Sequence, residues 1–463
     1  MMQSQAIRLT MLAIGLFSCL WTGEGTAAGE AEAQAGPTTA TSPALTWESA
    51  IGTGVTKHPL IEAAQHGVLE TEAVTNRIAS INYPQVSGIL VGTGGNTRVL
   101  SNLGISGSLP KPTNPMATAG SRVDLLITDF GRTTHRILAN KALAASAEKD
   151  VLMMKAWVIL SVEQAYLNCL KQQRLVEITR EVLTERQLIR SQAETLYRHQ
   201  LRAKLDFDLA AVEAAKAELD FIKARNDLKA AYAALNAAMG IQGPDAYTLN
   251  EVQAAVTPAQ PIEPLFKQAL EKRPELLGSR DRVQAAEEAL KAAQALNFGS
   301  ISAIGTAGYS WWGHQEVVSV QGNPNNPNAQ LGWWGVGVAT STPLYTGPRI
   351  QSQIDEADAR KGEAQATART IANDVILQVA KAYLSRLTAE QQIQVAQERV
   401  AHAREALTLA RERYKAGLGS ILDVTTATAD LLAAQTGLAE AQYEYRAGDS
   451  ALAYAIGSEY ARY

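Results

Sequence analysis

The sequence predicts a mixed α/β membrane protein in which four strands per chain join those of other copies in one β-barrel, continued by long coiled-coil-like helices. Three observations carry that prediction. The chain opens on a secretory leader, its body repeats at a fixed offset, and each repeat holds a proline- and glycine-free run too long for a helix inside a globular domain.

The leader is read from its order of regions. Met1 to Arg8 carries one positive charge, Leu9 to Trp21 is almost wholly apolar, and the small residues Thr26-Ala27-Ala28 follow. That is the pattern of a signal peptide, assigned to residues 1–28 and left out of fold reasoning. The apolar run is shorter than the ~20 residues that span a bilayer, which argues against an anchor. Cys19 follows Leu16-Phe17-Ser18, a segment similar to a bacterial lipobox. Cys19 is therefore a candidate lipidation site with cleavage before it; the alternative is loss with the leader. Two cysteines in the chain exclude a disulfide framework and a Cys-rich metal site, and Cys169 reads as a helix-packing residue.

Composition sets outer bounds. A formal charge of -4 and a pI near 6.0 give no reason to expect a nucleic-acid partner. After the leader no stretch approaches ~18 consecutive apolar residues, which excludes transmembrane helices. A mean hydropathy of -0.10 would by itself describe an ordinary soluble protein. The repeat and the periodicities argue differently.

Ala165-Tyr166-Leu167 recurs as Ala382-Tyr383-Leu384, an offset of 217 residues. The same offset carries Tyr197 to Tyr414, Leu201 to Leu418, Asp206 to Asp423 and Gly240 to Gly457, and Val158 and Val162 onto Val375 and Val379. One register held over so many positions is a tandem repeat. It divides the chain into a first repeat at 45–240, a linker at 241–261 and a second repeat at 262–457.

Each repeat reads helix, strand, strand, long helix, turn, helix. Trp47 to Ser80 is predicted helical with Pro59 as an interruption, and Pro84 to Thr97 and Ala119 to Asp129 as strands. Val123, Leu125 and Ile127 alternate with Arg122, Asp124 and Thr128, the period of a half-buried strand; Leu126 breaks it. Thr133 to Leu196 is rich in good helix formers and would run roughly 95 Å as one helix. A helix follows at 205–239. The second repeat gives a helix at 262–297, strands near 299–312 and 331–344, a long helix at 349–413 and a last helix at 421–456. Ile376, Ala380, Tyr383 and Leu387 step by coiled-coil intervals, and Val375, Val379 and Ala382 widen that face, as a helix with two neighbours requires.

Four strands are too few to close a membrane barrel, which takes at least about eight. If they cross a membrane, several chains must share one barrel, because open edges in lipid leave backbone groups unpaired. Trp311-Trp312 and Trp333-Trp334 flank the polar loop 313–330, as an interfacial aromatic girdle would. Glycines in the strands, among them Gly88, Gly92, Gly305 and Gly337, permit tight curvature. On the strands alone, a soluble sandwich with a tryptophan core is the competing fold.

These residues carry a resemblance. The element order, the repeat and the segment Tyr414-Lys415-Ala416-Gly417-Leu418-Gly419-Ser420-Ile421-Leu422-Asp423-Val424 are similar to the TolC family of outer-membrane efflux proteins. So are the junctions Asp129-Phe130-Gly131-Arg132 and Pro343-Leu344-Tyr345-Thr346-Gly347. The resemblance covers about 45–457. It implies a homotrimer with a twelve-stranded barrel in Gram-negative outer-membrane lipid and an α-helical barrel crossing the periplasm. It further implies docking to a periplasmic adaptor (membrane fusion) protein and an inner-membrane transporter.

The resemblance makes the two helix–turn–helix tips the periplasmic entrance. It implies a gate at Asp423, with Thr426 one turn on and Asp206 as the repeat mate of Asp423. A ring of like charges there would favour cations. Helix N-capping by Asp423 and Asp206 is the alternative reading of both. Where relatives carry a second aspartate and a turn arginine that tie the entrance shut, this chain has Thr426 and Gly419, which implies a looser closure. Tyr414, Gly417, Leu418 and Gly419, with Tyr197 and Leu201 at the first tip, are the adaptor contacts so implied.

An enzyme is not expected. The six histidines are dispersed, and His58, Glu62 and His66, although spaced by four, straddle Pro59 and have no counterpart in the second repeat. Gly-x-Ser-x-Gly, Walker and His-Glu-x-x-His motifs are absent, so neither cofactor nor metal is implied. The remaining alternative is a periplasmic or surface coiled-coil scaffold or adaptor without a pore.

Overall fold

The computed structural model describes residues 44–93, 116–243, 247–251, 260–312 and 329–458. The leader with Cys19, Gly94 and Gly95, and the loop between the tryptophan pairs lie outside the described residues.

Proline and capping chemistry set the first helices. Thr46 and Ser49 form a reciprocal capping box that starts α1 (Trp47–Lys57). Pro59 then occupies the first position of α2 (Pro59–Ala79), where its missing N–H costs nothing. His58 caps that helix, its Nδ1 accepting the Leu60 N–H at 3.2 Å. His58 thus serves the backbone, while His66 and Glu62 stand 4.0 Å apart in solvent. The second half repeats the device: α5 (Ile262–Lys272) ends at Arg273 and α6 (Pro274–Gln294) starts on Pro274.

The two longest helices, α3 (Arg132–Arg198) and α7 (Arg349–Lys415), have 67 residues each, and their successors, α4 (Lys204–Ala238) and α8 (Ile421–Ala455), have 35 each. At 1.5 Å per residue a 67-residue helix is roughly 100 Å long. In the tip-proximal part α3 lies between α4 and α8, and α8 lies between α3 and α7. Nearer the sheet α3 lies between α2 and α6, and α6 lies between α3 and α7. α3 is therefore interior along its length, and α7 is an edge throughout.

That placement divides the expected wide face of α7 into a covered and an uncovered ladder. The buried ladder of α7 is Val375, Val379, Arg386 and Ala389, joined by half-buried Ala382, and it faces α5 and α8. Ile376, one residue round the helix, is exposed because α7 has no neighbour within the chain on that side. Three apolar clusters result. One joins α1, α2, α3 and α4 around Val162 and Tyr166, one joins α5, α7 and α8 around Val379, and one lies near the tips. Cys169 sits in the first, its thiol pushed up to about 12 by burial.

Strands β2 (Gln85–Thr93), β3 (Met116–Thr128), β5 (Ser300–Trp312) and β6 (Ala329–Ser341) form one antiparallel sheet in the order β2-β3-β5-β6. A two-residue parallel pair, β1 (Ala44–Leu45) with β4 (Thr248–Leu249), packs beside the helices, and the Tyr166 hydroxyl lies within hydrogen-bonding distance of the Leu45 carbonyl in β1 and of the Asn250 carbonyl just past β4. The register of β3 against β5 shifts between Leu126 and Thr128, where the sequence alternation also breaks.

Candidate functional site

The sheet has two unlike faces. Cross-strand register puts Val86, Leu90, Val123, Tyr309, Trp311, Trp334, Val336 and Val338 on one face, all of them exposed. Ser87, Arg122, Thr118, Thr306 and Ser310 take the other, where Arg122 makes a two-pronged ion pair to Asp124. Apolar outside and polar inside is the pattern of a barrel wall in lipid.

The expected girdle divides between these faces. Trp311 stacks on Tyr309 with centroids 6.3 Å apart, and Trp334 is 81% exposed, both on the apolar face. Trp333 is on the polar face instead. Its ring covers Gly120 and Gly308, where a Cβ would come within 3.0 and 2.5 Å of it, and its N–H donates to the Ser310 hydroxyl at 3.2 Å. Ser310 in turn shares a buried hydrogen bond with Thr118 at 3.1 Å. Adjacent residues in a strand face opposite ways, so a Trp-Trp pair cannot place both rings in lipid. The side chain of Trp312 lies outside the described residues. At the opposite end of the sheet Tyr83, Phe130, Phe298 and Tyr345 are all exposed, and Phe130 contacts Phe298 at 5.7 Å. Sequence reading overlooked this second aromatic band because its members come from four separate junctions.

The helix tips are the second region. α3 and α7 end alike: the Leu201 N–H returns to the Leu196 carbonyl and the Leu418 N–H to the Arg413 carbonyl, both at 2.9 Å. This is the Schellman closure, which needs a left-handed residue just past the helix. Gly417 supplies it at the second tip with φ 77°, and Gln200 takes it at the first with φ 58°. Leu201 and Leu418 project as exposed apolar residues, while Tyr197 stacks on Phe207.

Neither aspartate is an N-cap. Ser420 caps α8, and Asp423 closes the capping box from the third position, its carboxylate accepting the Ser420 N–H at 3.0 Å. Asp423 and Thr426 are both exposed, one turn apart. Asp206 lies in the first turn of α4, whose cap residue Ala203 offers no side chain. It is half-buried and close to Tyr414, whose hydroxyl is pushed up in pKa by burial first and by the Asp206 carboxylate second. Tyr414 itself is half-buried, its hydroxyl enclosed, so it offers a docking partner little surface. Above the tips Ile189, Ala193, Ala210, Leu407, Ile421 and Val424 close the four helices into one core. Arg186 crosses that core, donating to the Thr425 carbonyl at 2.8 Å with Glu213 at 3.5 Å, and burial lowers its pKa. Among the described residues no three His, Cys, Asp or Glu side chains converge on a metal-sized site.

A sheet that is apolar on one face and open at both edges, continued by helices of roughly 100 Å, defines an outer-membrane channel protein with a periplasmic helical part. The comparisons agree. The chain belongs to the outer membrane efflux protein family, whose model matches residues 55–241 and 265–458. It is 25% identical over 362 residues to the outer membrane protein TolC of Escherichia coli strain K12, covering 74% of this chain and 70% of that one. It is 22% identical over 419 residues to the probable outer membrane lipoprotein SilC of Salmonella typhimurium, covering 88% and 84%. The outer membrane protein VceC of Vibrio cholerae shares the fold with a TM-score of 0.73 at 22% identity, over 89% of this chain and 96% of that one. The protein is an outer-membrane efflux channel.

Proposed function

We propose that three copies of this chain close a twelve-stranded barrel and a helical tunnel, and that the assembly is a passive conduit joined through a periplasmic adaptor to an inner-membrane pump. The carrying observation is the sheet that ends on unpaired edges, β2 and β6. In lipid each unpaired backbone group costs several kcal/mol, so β6 of one copy pairs with β2 of the next. The helices support the same closure. α4 exposes Leu205, Val212 and Leu219, α7 exposes Leu384, Val395 and Leu409, and these are the two outer helices of the tip-proximal row. A heterologous contact of this kind builds a closed ring.

In this reading residues 1–28 are removed, the repeats at 45–240 and 262–457 supply equal shares of the wall, and the linker at 241–261 joins them at mid-height. The lipobox-like segment before Cys19 supports the other cleavage, in which only residues 1–18 are removed and Cys19 carries a lipid. Trp311 and Trp334 mark the outer lipid interface and Tyr83, Phe130, Phe298 and Tyr345 the inner one. Leu201, Leu418 and the Gly417–Gly419 turn meet the adaptor. Asp423, with Thr426 and Asp206 behind it, lines the entrance as a ring of three like charges. The pump supplies the energy, so the conduit carries out no chemistry of its own.

The test is oligomer mass and single-channel conductance on one detergent-extracted sample. A trimer with a cation-selective pore is expected, with selectivity lost in Asp423→Asn, a change that keeps an acceptor for the Ser420 N–H. A water-soluble monomer without conductance would overturn the reading in favour of a coiled-coil scaffold.

A further inference from the structure

Trp333 is the tryptophan that the lipid interface does not use. It stands on the polar face of the sheet, in the cross-strand row Gly120-Gly308-Trp333, whereas Trp311 and Trp334 stand on the apolar face. Its ring reaches across β5 to β3, with its far edge over the two glycines and its N–H tied to Ser310. Ser310 is itself tied to Thr118, so the ring has one fixed seat. Glycine makes that seat possible, because a Cβ on Gly308 would come within 2.5 Å of the ring. The residue is still half-exposed. Its single donor already serves the wall, so its open side offers only the π surface of the indole, which attracts cations and other flat rings.

The neighbouring rows determine whether that surface is free. Arg122 and Asp124 are the only charged residues in the four strands, and both lie on the same face as Trp333. Arg122 follows Gly120 by two residues on β3, about 7 Å along the strand and within reach of a side chain of its length. It turns the other way. Its Nε and Nη2 both donate to the Asp124 carboxylate at 2.8 Å, one row farther from the ring. In the helical part arginines lie over Tyr414, Phe221, Tyr454, Tyr445 and Tyr443, but among the described residues no cation lies over Trp333.

We infer that Trp333 is a contact site for flat aromatic cations on the inner wall of the barrel, and that Asp124 keeps it free by holding Arg122 away. The seat of the ring stands on these contacts alone. Its place on the inner wall rests on the barrel reading above, which sets three such rings at one level of the lumen. Charge and shape select the occupant. The face of the indole carries negative potential, which favours a cation, and a flat partner covers more of that face than a rounded one. Asp124 is a positioning residue: it acts on the site through Arg122 and does not itself touch the occupant.

The experiment uses the detergent-extracted full chain, with ethidium as the flat cation and naphthalenedisulfonate as a flat anion for comparison. Binding is read by fluorescence anisotropy, and block of single-channel current is recorded on the same variants. W333L is expected to weaken ethidium binding and block by about fivefold, the loss of one cation–π contact, while W333F keeps both within about twofold. The anion should bind W333L and the unchanged protein alike. D124N leaves the ring and its glycine seat in place but frees Arg122 to occupy the face, so it should weaken ethidium to a similar extent, and R122Q/D124N should restore it. Ethidium binding unchanged in W333L overturns the site, and an equal loss for the anion overturns its preference for cations. Unchanged binding in D124N overturns the part given to Asp124. Should W333L fail to assemble, loss in D124N with recovery in R122Q/D124N supports the site, and loss without recovery overturns it. If the unchanged protein carries no current, the conduit reading fails while the anisotropy still decides whether the ring binds a flat cation.

Discussion

Helices α3 and α7 have the same length and the same place in their repeats, yet α3 buries eighteen of its side chains and α7 only six. Their buried positions partly coincide under the repeat offset: Val158 and Val162 match Val375 and Val379. The difference comes from neighbours. α3 is flanked on both sides by α2, α4, α6 and α8, whereas α7 meets α5, α6 and α8 on one side. Repetition alone would make the halves alike, so the asymmetry marks where the single chain stops and the next copy is needed. Side chains have diverged accordingly. Cys169 in the apolar core of the first half has Arg386 as its mate, which pairs with Asp449 and donates to the Tyr445 hydroxyl at 2.8 Å.

The largest effect follows from the edge of α7. Val395 is 65% exposed there, and Val212 on α4 is 63% exposed. If both faces were bare in the assembly, Val395→Asp and Val212→Asp would each change stability by less than about 0.5 kcal/mol. Covered by a neighbouring copy, an unpaired carboxylate costs several kcal/mol. The expected outcome is loss of the trimer by light scattering in detergent, with the helical circular dichroism retained. A trimer that survives both substitutions would break the account of α7 as an unfinished edge.

A smaller effect separates the cores. Tyr166 puts its hydroxyl 3.0 Å from the Leu45 carbonyl and 2.9 Å from the Asn250 carbonyl, and its ring meets Trp47 edge-on at 5.4 Å. Its mate Tyr383 is half-buried at the rim of the second-half core. Tyr166→Phe is expected to cost about 1–2 kcal/mol, the price of a buried hydrogen bond left unmade, and Tyr383→Phe below about 0.5 kcal/mol. Denaturant midpoints of the helical signal would show it; equal losses would mean that the two cores are equivalent.

How much of this was legible depended on the range of the interaction. Helix α3 is readable because absence of proline and glycine is a local property, and its ends differ by only a few residues, 133–196 against Arg132–Arg198, while α7 is readable as its repeat mate despite Gly362. Pro59 and Pro274 announced the helix breaks for the same reason. Both apolar ladders of α7 are legible, but an apolar band two ladders wide does not say which ladder the chain itself covers. Asp423 was weighed as an N-cap, yet Ser420, three residues earlier, completes the capping box. The contact of Arg202 with Tyr414 is not legible in the sequence: its partner is fixed by how the hairpins pack, although the repeat places it opposite Gly419.

The finest test lies in the sheet, where every tryptophan belongs to the second half, since β2 and β3 contain none. If lipid covers the apolar face, brominated acyl chains should quench Trp311 and Trp334 and spare Trp333, which lies over Gly120 and Gly308 on the polar face. Each is assigned by its Phe variant: quenching should fall in Trp311→Phe and Trp334→Phe and stay constant in Trp333→Phe. Trp333→Phe removes one hydrogen bond to Ser310, a loss of about 1 kcal/mol that leaves the barrel assembled. Quenching that falls in Trp333→Phe would invert the sheet and put Ser310 and Thr118 in lipid. Their shared buried hydrogen bond would then be an inter-strand tie within the bilayer, and the polar lining would have to be sought on the face that carries Val336 and Val338.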